Sequence, residues 1–118
     1  MAVKQILKFK IDSAHYLPGY EGPCKNLHGH TWGVIIELEG EVKDNGMVAD
    51  FKKEKEWIKE YLDRLDHFEL NRVLKNPTAE LLAGLIFNDL NLREKSFIAD
   101  LVAVEVWESD DCGVRYEG

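Results

Sequence analysis

The sequence predicts an α+β domain, an antiparallel four-stranded sheet with two helices packed on one face. Three observations carry this. Apolar and polar residues alternate toward both ends of the chain, the apolar spacing changes to three and four residues across its middle, and an Asn-Gly pair separates the two regimes. Strands joined by hairpins, with two consecutive helices between them, place both helices on one side of an antiparallel sheet.

The first strand is expected over 3–12, where Val3, Ile6, Leu7, Phe9 and Ile11 mix with polar neighbours roughly in alternation. A loop follows over 16–26, punctuated by Pro18, Gly19, Gly22 and Pro23. The stretch 31–41 carries Trp32, Val34, Ile36 and Leu38 at every second position and is the stronger strand. Asp44-Asn45-Gly46 turns it. Asn-Gly supplies the positive φ angles of a type I′ turn, so 47–50 is expected to return antiparallel. Beyond Phe51, Trp57, Ile58, Tyr61, Leu62 and Leu65 form one face of an amphipathic helix. A second helix begins around Asn76-Pro77-Thr78, with Pro77 at its first position and Leu81, Leu82, Leu85, Ile86 and Leu90 as its buried stripe. Val102, Val104 and Val106 mark a strand over 100–108, and Asp111-Cys112-Gly113 leads into a last strand over 114–117.

A length of 118 residues suits one domain spanning 1–118, and no compositional break divides it. Hydrophobic residues at 45% and charged residues at 31% exclude disorder. With 15 basic and 22 acidic residues the net charge is −7, which argues against nucleic acid or anionic membrane as a partner. No apolar run approaches the roughly 20 residues of a membrane span, and the first ten residues lack a signal-peptide core. A cytoplasmic location is expected. Cys24 and Cys112 are far apart and form no Cys-x-x-Cys unit, so a disulfide framework is not expected.

Three of the four histidines, His15, His28 and His30, fall within sixteen residues beside Cys24. In extended chain, residues i and i+2 project to one side, so His28-Gly29-His30 aims two imidazoles at one point. A third nitrogen from His15 completes the protein face of a catalytic zinc site, in which an open position receives a substrate oxygen. Two other readings stand beside it. His-x-His is common near loops by chance, and Cys24 as a fourth ligand makes a closed structural site, although structural zinc usually takes two or more thiolates. In the open site Cys24 is a candidate base or nucleophile whose thiolate the metal stabilises. Asp66-His67 is a candidate acid–base pair, because a carboxylate fixes the imidazole tautomer and favours its protonated form; a helix-terminal histidine is the plainer explanation. Glu108 ends an apolar strand face with a carboxylate. Glu80, beside Thr78, sits in a first helical turn, where acids are favoured anyway.

Together these residues resemble the family of 6-pyruvoyltetrahydropterin and 6-carboxytetrahydropterin synthases. The matching segments are Phe9-x-x-x-x-Ala14-His15, Cys24-x-x-x-His28-Gly29-His30, Gly46-Met47-Val48-x-Asp50-Phe51, Leu65-Asp66-His67-x-x-Leu70-Asn71, Pro77-Thr78-x-Glu80 and Trp107-Glu108. The resemblance implies a tunnelling fold, in which sheets from several subunits join into a barrel with the helices outside. It implies zinc on His15, His28 and His30, proton transfer by Cys24, Asp66 and His67, a pterin ring anchored by Glu108, and Thr78 and Glu80 beside that ring. Short loops and the four-residue step from Cys24 to His28 are similar to the bacterial carboxy branch, which serves queuosine synthesis. The implied reaction converts 7,8-dihydroneopterin triphosphate and water to 6-carboxy-5,6,7,8-tetrahydropterin, acetaldehyde and triphosphate. The implied assembly is a homohexamer, a dimer of trimers with sites shared between chains. Two positions depart from the pattern: Ile11 stands where an aromatic is frequent, and Tyr16 where a basic residue is. The second leaves Lys25 and Arg72 as triphosphate contacts by charge alone. Elimination of triphosphate to the 6-pyruvoyl product, and a non-catalytic zinc- or pterin-binding oligomer, are the competing functions.

Overall fold

The computed structural model describes residues 1–93 and 99–118. Strands β1 (Ala2–His15) and β2 (His28–Glu41) form a long antiparallel hairpin; helices α1 (Phe51–Leu62) and α2 (Ala79–Leu92) follow, with a two-residue strand β3 (Phe68–Glu69) between them. Strands β4 (Asp100–Trp107) and β5 (Gly113–Tyr116) complete a sheet of order β3-β1-β2-β4-β5. The α+β class holds, and both helices pack against the sheet. The sheet has five strands rather than four, because β3 pairs parallel to β1 at Ser13 and Ala14.

Both hairpin strands outrun their apolar alternation. The first continues through Asp12 to His15 and the second starts at His28, because backbone pairing persists where the side chains have turned polar. The residues 47–50 form no strand. Gly46 takes φ +84° while Asn45 keeps a negative φ, so the turn is not type I′. Asp50 instead caps α1, accepting a hydrogen bond from the Lys52 amide at 2.9 Å. Thr78, not Pro77, begins α2: its hydroxyl accepts from the Leu81 amide at 3.2 Å, and Pro77 lies outside the helix. Leu81 is exposed, because it lies on the outer side of the first turn. The core includes Leu7 and Ile11 from β1, Val34 and Ile36 from β2 and Val104 and Val106 from β4, packed on Ile58 and Leu62 of α1 and Leu82 and Ile86 of α2.

One carboxylate lies inside that packing. Glu54 of α1 is fully buried, accepts from the Ala99 amide at 3.4 Å, and lies against Gln5. Glu54 Oε1 and Gln5 Oε1 are both buried without a hydrogen-bond partner. Burial pushes the Glu54 carboxyl above its ordinary range, against the pull of the Ala99 amide and the nearby Gln5 amide group, and Asp50 adds to the rise. The folded state therefore holds the proton more tightly than the unfolded chain. That contribution to stability is complete below the unfolded glutamate pKa and is lost as pH rises through the folded value. Glu54→Gln offers an N–H to Gln5 Oε1 without a charge. It is expected to stabilise the protein by about 1 kcal/mol at pH 8, with the gain shrinking toward pH 4, as read from urea unfolding across pH.

Candidate functional site

The register of the β1–β2 hairpin sets His15 opposite His28 and Ser13 opposite His30. Alternation along each strand then puts all three imidazoles on the helix-bearing face. Their ring centroids lie 4.6 Å (His15–His28), 5.0 Å (His15–His30) and 4.7 Å (His28–His30) apart. The buried Trp32 ring stands edge-on behind His15 and His30, and its indole N–H donates to the Ser13 carbonyl at 3.3 Å.

Backbone carbonyls decide two of the tautomers. His15 Nδ1 lies 2.7 Å from the Pro77 carbonyl and His28 Nδ1 lies 2.6 Å from the Asn26 carbonyl. A carbonyl only accepts, so each Nδ1 carries the proton and each Nε2 presents a lone pair. His15 Nε2 and His30 Nε2 are buried without a hydrogen-bond partner. Unpaired buried polar atoms are costly, and several converging ones fit a metal ion. Burial holds the His30 imidazole below its ordinary pKa; the Glu108 carboxylate opposes this, while His15 and His28 reinforce it. Low proton affinity suits a ligand nitrogen.

The fourth donor of this cluster is not Cys24. Glu108, one residue past β4, brings Oε1 to 3.1 Å from His30 Nε2, and the donor atoms of His15, His28, His30 and Glu108 all lie within 4.8 Å of one another. Cys24 sits half-buried on a 3-10 turn (Pro23–Lys25), and its carbonyl accepts from the Leu17 amide at 2.8 Å. This closes the intervening loop close to His15 in sequence, with the thiol outside the four-donor group.

Asp66 and His67 form a second cluster, fastened to β1. The Asp12 amide donates to Asp66 Oδ1 at 2.7 Å and the His67 amide donates to the Asp12 carbonyl at 2.5 Å. Asp66 Oδ2 then lies 3.1 Å from His67 Nδ1. His67 adopts φ +53°, a left-handed conformation costly for a residue with a Cβ and held here by those two bonds. The Asp12 amide holds the Asp66 carboxyl below its ordinary range, burial opposing, and His67 adds to the lowering. The Asp12 carboxylate joins them and itself accepts from Thr31 Oγ1 at 2.6 Å. A cleft of about 540 Å³ at this end of the sheet is lined by Asp12, Thr31, His30, His67 and Glu69 among others.

Thr78 uses its hydroxyl as the α2 cap, and Glu80 is exposed in the first turn. Neither belongs to the two clusters. Cys112 is exposed, and its carbonyl accepts from the Glu108 amide at 3.0 Å. Three residues escaped the sequence reading. Pro77 acts through its carbonyl and Asp12 largely through its main chain, for which no side-chain signal exists. Asn71 clamps Tyr16 from both sides, its amide accepting from the Tyr16 N–H at 3.0 Å and donating to the Tyr16 carbonyl at 2.9 Å.

Comparison with known proteins gives a consistent result. A family model described as 6-pyruvoyl tetrahydropterin synthase matches residues 5–118. The 6-carboxy-5,6,7,8-tetrahydropterin synthase of Synechocystis sp. is 36% identical over 92% of this chain and 88% of its own. The dihydroneopterin monophosphate aldolase of Pyrococcus furiosus is 34% identical over 99% of both chains. Among solved structures, 6-pyruvoyl tetrahydropterin synthase of Caenorhabditis elegans superposes with a TM-score of 0.85 at 27% identity, covering 100% of this chain and 96% of that one.

Proposed function

The chain belongs to the 6-pyruvoyl tetrahydropterin synthase family and is a lyase, and from that premise we propose a zinc-dependent carbon–carbon lyase acting on 7,8-dihydroneopterin triphosphate. With water, the products are 6-carboxy-5,6,7,8-tetrahydropterin, acetaldehyde and triphosphate. The observation that carries this reading is the convergence of three imidazoles, two with Nε2 left free by their tautomers.

In this reading His15, His28 and His30 hold zinc through their Nε2 atoms. When bound, the ion acts as a Lewis acid toward the oxygens of the substrate side chain. Cys24 accepts a proton from the side-chain carbon, and His67, kept in one orientation by Asp66, returns one. Glu108 accepts the paired N–H bonds of a 2-amino-4-oxo pterin edge, with Thr78 and Glu80 flanking the ring. Residues 1–118 act as one pterin synthase-like unit in a cytoplasmic homohexamer, and the product enters queuosine synthesis.

A second reading, retro-aldol cleavage of dihydroneopterin monophosphate, has its own support. The Pyrococcus furiosus relative, a dihydroneopterin monophosphate aldolase, is 34% identical and matches over 99% of both chains. The products distinguish all three chemistries. Zinc-loaded protein given the triphosphate is expected to release acetaldehyde. Glycolaldehyde phosphate from the monophosphate identifies the aldolase, and triphosphate release with all three side-chain carbons retained identifies the pyruvoyl synthase. A protein that turns over none of these substrates overturns the lyase reading.

A further inference from the structure

Glu108 is placed to do more than receive the pterin. Gly33 pairs with Trp107, so the next residue beyond β4 comes alongside Trp32, and His30 lies two positions further along the same face of β2. The carboxylate thereby reaches the histidine cluster from a strand that supplies none of the imidazoles. Its Oε1 is 3.1 Å from His30 Nε2, yet that nitrogen has no aligned hydrogen-bond partner. The approach is therefore not accounted for as a hydrogen bond. Ligand atoms of Glu108, His15, His28 and His30 crowd within 4.8 Å of one another, and with His30 neutral this gathering of lone pairs and one carboxylate is relieved by a cation among them.

We infer that Glu108 supplies a fourth, oxygen donor to the metal held by His15, His28 and His30 whenever no pterin is bound. This rests on the proposed metal-binding role of the three histidines. A carboxylate oxygen beside three imidazoles completes a four-coordinate set suited to zinc. The half-exposed side chain follows the end of β4 and is free to swing toward an incoming ring. In this reading the carboxylate turns both oxygens toward the paired N–H groups of the pterin and gives up its place at the metal. Pterin binding thus withdraws the fourth donor at the moment the substrate side chain needs that position, and linkage requires that pterin and metal weaken each other's binding by one factor.

The test is a titration of metal-free protein with zinc against a chromogenic chelator, with visible spectra of the cobalt form. Wild type is expected to take one equivalent, and Glu108→Gln to keep that stoichiometry with affinity lowered about tenfold or more and a changed cobalt band. Saturating 6-methylpterin, which has no side-chain diol to reach the metal, is expected to weaken zinc binding in wild type and to leave Glu108→Gln unaffected. Wild-type affinity in Glu108→Gln, or weaker affinity with an unchanged cobalt band, overturns the inference and leaves the three-histidine site standing. Failure of wild type to bind zinc overturns both.

Discussion

Replacing Cys24 by alanine is expected to leave the bound metal at one equivalent while lowering kcat by about two to four orders of magnitude, whereas His28→Ala is expected to lose both. The separation follows from the geometry. His28 contributes a ring nitrogen to the convergent cluster, and its Nδ1 is anchored at 2.6 Å to the Asn26 carbonyl, so its removal takes a preoriented imidazole out of the set. Cys24 stands outside the four donors on its own turn. On the proposed roles, truncating it removes a proton acceptor without touching a metal ligand. Metal analysis and kcat on the same preparations settle the matter. Near wild-type turnover in Cys24→Ala would falsify the base assignment, and loss of metal from that variant would restore the closed site with a sulfur ligand.

The parts of this site that were legible in the sequence are those encoded by side-chain type at fixed spacing. His28-Gly29-His30 reads as two imidazoles on one face because β2 is extended there, and His15 joins them through a register that pairs the ends of two long strands. The alternation of Trp32, Val34, Ile36 and Leu38 identified β2 and its buried face without reference to its partners. What stayed hidden depends on main-chain atoms or long-range pairing. Phe68–Glu69 becomes a strand only because β1 lies beside it, and two residues carry no periodicity. The Pro77 carbonyl that orients His15 lies 62 residues away in sequence. The left-handed turn at His67 has no glycine or asparagine to announce it, since two hydrogen bonds to Asp12 impose it. Residues 47–50 misled for the opposite reason. Asn45-Gly46 is a sound turn signal, but Asp50 is a stronger helix cap, and cap and return strand compete for the same four residues.

Mixing two inactive variants is expected to restore activity. The His67 side chain is 79% exposed, although its partner Asp66 is held firmly by β1. An acid–base group that projects into solvent is poorly placed to act within its own chain and well placed to act on a neighbour's site. The sheet edges point the same way. On one side β3 covers only Ser13 and Ala14 of β1, so among the described residues most of that strand has no sheet partner on its outer edge, and such an edge can continue into another copy. In such an assembly Cys24 and the histidine cluster come from one subunit and Asp66 and His67 from the next. Cys24→Ala and His67→Ala are then each inactive as pure preparations. In an equal random mixture about a quarter of interface sites carry both native residues, since the two choices are independent at one half each. Co-refolding followed by assay is expected to recover about that fraction of wild-type turnover. Mixed oligomers that form, as seen by mass spectrometry, but remain inactive would place the whole constellation within a single chain.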